Sequence, residues 1–179
     1  MKTFFKWFFI SFTAFIVLLF GIAGLLDDKY SVQRSVKIAA PQDSVFFTVA
    51  DLNTWKNWNP WLLVDSNMTV KINVTDSLEG SYWEWSSNQI GKGKLTFRKV
   101  AVPDSIYAVM EFISPKSSIV DEFWYFRTEN DSTVVTWKHV GALDYPIGRI
   151  LGIWSDNMLG PTFEEGLNLL KDFTEKKFR

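Results

Sequence analysis

The sequence contains no cysteine and a single histidine, His139. The first absence excludes disulfides, a thiolate nucleophile and every cysteine-based zinc site. It also suits an oxidising compartment. One imidazole among scattered acids is poor material for a histidine-carboxylate metal site, so no metal or cofactor is expected. An excess of one charge is missing too. Lys and Arg number 19 against 20 Asp and Glu, for a formal net charge of −1. No basic stripe interrupts this balance, so nucleic acid is not an expected partner. There is no internal repeat and no low-complexity tract. Gly91-Lys92-Gly93 lacks phosphate-loop spacing and precedes a strand pattern.

Between Trp7 and Leu26 charge is lacking altogether. This run, WFFISFTAFIVLLFGIAGLL, is about long enough to cross a bilayer core as a helix. Lys2 and Lys6 precede it, and Asp27 and Asp28 follow. The positive-inside tendency then keeps the N-terminus inside and places the remainder on the extracytoplasmic side. A cleaved signal peptide is the rival reading. Gly21-Ile22-Ala23 resembles a small-x-small cleavage site, and cleavage would yield a secreted protein. The apolar run continues past Ala23, which favours an uncleaved single-pass anchor. Residues 1–29 are therefore read as anchor and short linker, and residues 30–179 as one domain.

What the chain has in abundance is aromatic surface: 17% Phe, Trp and Tyr, including nine Trp and sixteen Phe. Such side chains bury large areas and support a substantial core. Past the anchor, Val32, Val36 and Ile38 alternate as in a strand. The stretch from Pro41 to Trp58 reads as helix, with Val45, Phe46, Val49 and Leu52 as its apolar stripe. Asn59 precedes Pro60, which ends the helix, puts Trp55 and Trp58 on one helical face and leaves Trp61 on a loop. Further strand patterns follow. In the first, Met68, Val70, Ile72 and Val74 share a face. From about Ile147 the pattern returns to helix, with Leu159, Phe163, Leu167 and Leu170 as a stripe. Pro161 suggests a break or a fresh first turn there. A sheet with one wet face must bury the other, and the C-terminal helix is the expected cover.

The order and spacing of several pieces resemble the START-like, or SRPBCC, superfamily, and within it the polyketide cyclase/dehydrase and lipid-transport group. These pieces are VQRSVKIAAPQDSVFFTVADLNTWKNWNPW, GKG at 91–93, MEFISP at 110–115, STVVTW at 132–137 and GLNLLK at 166–171. The resemblance covers roughly Tyr30 to Phe178. It implies an α+β helix-grip fold, a curved antiparallel sheet around a long C-terminal helix. It also implies a hydrophobic cavity for a lipid or other apolar small molecule. A fold of this kind supplies a pocket, not a reaction.

Turn positions assign the faces. A two-residue turn at Pro103-Asp104 would set Phe97 opposite Met110 and Leu95 opposite Phe112, and would leave Glu111 beside Arg98 on the wet face. A turn centred on Asn130-Asp131 sets Phe126 opposite Val135, Trp124 opposite Trp137 and Glu122 opposite His139. The single histidine thus meets a carboxylate on the face that should be apolar. Arg34 lies on the inward stripe of the first strand. If that strand neighbours the last, as the resemblance implies, Arg34 approaches the pair. Trp83 and Trp85 are placed inward, because burying two indoles outweighs burying Glu84, with Trp85 over Gly93. The expected ligand-facing set is therefore Trp58, Trp83, Trp85, Phe97, Met110 and Phe112, with Glu122, Trp124, Trp137, His139 and Arg34. Glu122 and His139 admit three readings: a satisfied buried pair, a holder for a ligand's polar head, or an acid-base dyad. Three functions stay open on the same terms. They are membrane-tethered binding of a lipid or hydrophobic small molecule, a scaffold whose tryptophans fill the interior, and a cyclase/dehydrase-type enzyme.

Overall fold

A computed structural model describes residues 2–177. Helix α1 spans Lys2–Leu25, and strand β1 follows at Lys29–Ile38. Helix α2 covers Gln42–Ala50, a 3-10 helix covers Leu52–Asn57, and a single turn, α3, covers Trp61–Val64. Six strands come next: β2 Thr69–Asn73, β3 Tyr82–Ser87, β4 Gly91–Ala101, β5 Ser105–Ser114, β6 Ser118–Glu129 and β7 Ser132–Ala142. Helices α4, Ile147–Gly152, and α5, Ser155–Glu175, complete the described chain.

All seven strands form one antiparallel sheet in the order β1-β7-β6-β5-β4-β3-β2. Each of β2 to β7 pairs with its sequence neighbour, as short turns allow. Only β1 crosses over, to pair with β7. The buried parity is continuous across the sheet: Val32, Phe126, Val135, Ile106, Leu95 and Trp83 all face α5 or the helices after β1. α5 presents Phe163, Leu167 and Leu170 to that face, as its spacing predicts. Two glycines let it approach closely. A Cβ on Gly166 would lie 2.9 Å from Pro60 and 3.0 Å from Trp137, and one on Gly160 would lie 2.0 Å from the Arg34 guanidinium.

Four local expectations need correction. The helix from Pro41 to Trp58 is broken, because the Asp51 carboxylate accepts the Asn53 N–H and starts a separate 3-10 turn. Trp61 opens α3 rather than lying in a loop. Pro161 sits inside α5 without breaking it. On β2 only the first half of the apolar stripe is covered: Met68 is buried, but Ile72 and Val74 are exposed, since β2 is the sheet edge.

Arg34 is also corrected. It does point inward, but it ends on α5. Its guanidinium donates to Asp156 at 2.7 and 3.0 Å and to Glu164 at 2.6 Å. These bonds raise Arg34 above the ordinary arginine range. The bond from Arg34 holds the Asp156 carboxyl below the usual carboxylate range, against the opposing pull of burial. A depressed acid stabilises the fold above its ordinary titration range, and that contribution is lost as pH falls through the folded value. Asp156→Asn is accordingly expected to melt below the wild type at neutral pH. The gap should close as the pH falls below about 4. Paired melting curves across that range check this, and a gap that persists into strong acid would contradict it.

A tryptophan-walled cavity as the candidate functional site

The 3-10 helix carries Trp55 inward and the turn after it carries Trp58. Their rings lie 5.2 Å apart, and both are buried. Each indole N–H has an acceptor nearby: Trp55 donates to the Val49 carbonyl at 2.8 Å, Trp58 to the Thr54 hydroxyl at 3.1 Å. From the sheet, Trp83 and Trp85 pack at 5.3 Å. Trp85 lies across Gly93, its ladder partner, as the sequence predicts. A side chain there is excluded: a Cβ on Gly93 would stand 2.3 Å from the Trp85 ring.

These elements enclose a cavity of about 260 Å³. Trp55, Trp58, Trp83 and Trp85 form its walls with Leu95, Met110 and Trp137. Trp61, Ile90, Phe112 and Leu159 also line it, and these four are half-buried, so they form its rim. The volume is close to the lower end for small-molecule sites. It suits a compact apolar ligand, and it is an open space rather than an interior filled by indoles.

One lining residue is neither aromatic nor aliphatic. Asn59 is only 5% exposed. Its amide oxygen accepts the Trp61 backbone N–H at 3.0 Å, which fixes the orientation of the amide. Its amide nitrogen has no partner among the described residues. The cavity thus combines apolar walls with the Asn59 amide donor, and Trp85, which also lines it, keeps a buried indole N–H without an acceptor among the described residues.

Of the expected set, Trp58, Trp83, Trp85, Met110, Phe112 and Trp137 line the cavity. Phe97 and Trp124 are fully buried behind it: Trp124 stacks on Trp137 at 4.3 Å, and Phe97 packs against Trp55 at 6.4 Å. Glu122, His139 and Arg34 do not reach it. Trp55, Asn59, Trp61, Ile90, Leu95 and Leu159 complete the lining. Of these, Asn59 was legible only as the residue before Pro60, a helix stop with no hint of a cavity role.

Glu122 and His139 meet as the β6–β7 turn dictates, and they belong to a closed network. Glu122 is wholly buried. One carboxylate oxygen accepts the Trp137 indole N–H at 2.7 Å, and the other faces His139 Nδ1 at 2.6 Å. Tyr30 takes the place expected of Arg34, with its hydroxyl 2.9 Å from His139 Nε2. The carboxylate holds a proton on Nδ1. The hydroxyl can then donate to Nε2 of a neutral imidazole or accept from a charged one. Burial, and then the charge of Glu122, push the Tyr30 phenol above its ordinary range. Trp137 stands between this network and the cavity, with its ring in the lining and its N–H on Glu122. The arrangement orients a cavity wall and presents no free acid or base to a ligand.

No protein-family model matches the chain, and no curated protein matches it by sequence. Solved structures do match it in shape. A protein of Chromobacterium violaceum superposes with a TM-score of 0.61 at 12% identity, over 81% of this chain and 96% of the other. The di-domain aromatase/cyclase StfQ of the steffimycin biosynthetic pathway gives 0.61 at 12%, over 83% of this chain and 51% of that one. A norcoclaurine synthase point mutant from Thalictrum, solved with a transition-state analogue, gives 0.62 at 12%, over 84% and 97%. At such identities the likeness shows the fold alone: a curved antiparallel sheet gripping a C-terminal helix.

Proposed function

We propose, from this START-like helix-grip fold, that the chain is a membrane-tethered binding protein for a small hydrophobic molecule. The observation that carries the reading is the cavity of about 260 Å³, walled by indoles and aliphatic side chains with Asn59 at its edge. Apolar concave sites with few polar groups are the usual form of small-molecule pockets. The ligand that fits is compact, largely aromatic or aliphatic, and carries one hydrogen-bond acceptor for the Asn59 amide. No residue pair in the lining supplies general acid-base chemistry, so binding rather than turnover is the function proposed.

The tether rests on α1. Within Thr3–Leu25 an 18-residue stretch has a mean hydropathy of 2.5 and is 6% buried, which suits a span of the bilayer. With Lys2 and Lys6 inside, residues 30–179 form the extracytoplasmic ligand-binding domain. A carrier held at the membrane meets apolar ligands at their highest local concentration.

Native mass spectrometry of the full chain, released from detergent and exposed to a panel of lipids and aromatic ketones, tests the proposal. A ligand adduct is expected. No adduct across the panel contradicts it. Asn59→Leu sharpens the test, because it removes the donor at nearly constant volume. Its affinity for an aromatic ketone is expected to fall roughly tenfold, about 1.4 kcal/mol, while the matching hydrocarbon binds unchanged. Equal losses for both ligands would show that Asn59 is only a packing element.

A further inference from the structure

Six large apolar side chains stand exposed between the end of β7 and the second turn of α5. Tyr145 is 50% exposed, Ile147 68%, Leu151 58%, Ile153 60%, Trp154 49% and Met158 73%. Single exposed apolar residues are ordinary, but a concentration of them marks a contact surface. Ile147 and Leu151 are one helical turn apart and share a face of α4.

The neighbour of this surface is the end of α1. The Tyr145 hydroxyl donates to the Phe20 carbonyl at 2.9 Å, and the two rings meet edge to face at 5.8 Å. The Arg149 guanidinium donates to the Leu26 carbonyl at 3.3 Å. Ala23, on the last turn of α1, is fully buried. Phe20 lies about 7.5 Å before the end of α1 at Leu25, at 1.5 Å per residue. A domain element bonded at Phe20 cannot stand clear of a membrane that α1 crosses.

We infer that the exposed face of α4 and the first turns of α5 rests in the headgroup layer of the bilayer, as a second membrane contact beside the span. This rests on the reading of α1 as an anchor and goes beyond it. Tyr145 and Trp154 are the residue types that interfaces favour, with an apolar body and a polar tip. Ile147, Leu151, Ile153 and Met158 enter the acyl boundary beside them. The contact also brings the cavity to the lipid. Met158 precedes the rim residue Leu159 on α5. Lys116 in the β5–β6 turn, close to Phe112 on the rim, forms an ion pair with Asp144 just before α4. The proposed contact and the cavity rim are thus neighbours along α5.

The absence of cysteine makes the test direct. Phe12→Cys, Leu151→Cys, Met158→Cys and Asp131→Cys each give the full chain one site for a nitroxide label. Asp131 lies in the β6–β7 turn, at the end of β7 opposite to α4. The four proteins are reconstituted into phosphatidylcholine vesicles. Collision of each label with oxygen and with a water-soluble nickel chelate is then measured by spin resonance. Oxygen-to-nickel ratios several-fold higher at 151 and 158 than at 131 are expected, with 12 higher still. If 151 and 158 match 131 while 12 reads as bilayer, the second contact is overturned and the anchor stands. If 12 also reads as water, the anchor reading falls with it.

Discussion

Glu122→Ala is expected to cost about 2–6 kcal/mol of folding stability, roughly 1–3 kcal/mol for each of the two buried donors it leaves unpaired. The carboxylate is fully enclosed and serves two donors, so its loss strands the Trp137 N–H and His139 Nδ1 without water to replace it. Urea unfolding with an unchanged slope measures the effect. Glu122→Gln keeps an acceptor and should lose distinctly less. Because Trp137 carries the network's one link to the cavity wall, Glu122→Gln, which keeps an acceptor for its N–H, should still bind ligand, and Glu122→Ala should bind more weakly. A loss under about 1 kcal/mol would mean that solvent reaches the pair. A stable Glu122→Gln that binds but no longer turns over a substrate would restore the acid-base reading.

Gly93→Ala is expected to abolish ligand binding by more than tenfold while the sheet still forms. The new methyl would stand 2.3 and 2.5 Å from two atoms of the Trp85 ring and 2.7 Å from the Glu111 carbonyl oxygen. The carbonyl belongs to the β4–β5 ladder and cannot retreat. The indole must swing instead, and the adjoining free space is the cavity. Overpacking of this kind costs about 1–3 kcal/mol of stability. The double variant Gly93→Ala/Trp85→Phe makes room for the methyl and should recover part of both losses, a coupling that the two single variants define. Additive losses would mean that Trp85 does not shape the cavity.

Much of this geometry was legible in the sequence, for identifiable reasons. A two-residue Asn-Asp turn fixes register outright, so the pairs Trp124–Trp137 and Glu122–His139 followed from it. The β4–β5 hairpin shows the limit. The expected pairing of Phe97 with Met110 is replaced by Leu95 with Met110 and Phe97 with Ala108. The turn holds three residues, Val102 to Asp104, and a bulge passes over Arg98. Each slips the register by one, and two slips restore parity, so the faces were right while the partners were wrong. Glu111 consequently pairs with Lys94, not Arg98.

Other misses arise where tertiary contacts decide. Nothing local says that Arg34 will reach across to α5, or that Tyr30, four residues earlier on the same face, will cap His139. Asp51 breaks the helix through a side-chain bond that competes with the backbone. Asn59 becomes a cavity residue only because α3 turns the Trp61 N–H back onto its amide oxygen. Periodicity gives faces. It does not give the end of a side chain.

Apolar cavities take up xenon, so a crystal of the full chain pressurised with the gas offers the most direct measurement. An anomalous peak is predicted in the space bounded by Trp85, Leu95, Met110 and Trp137. An interior packed solid by those side chains, with xenon bound elsewhere and none there, would contradict the account.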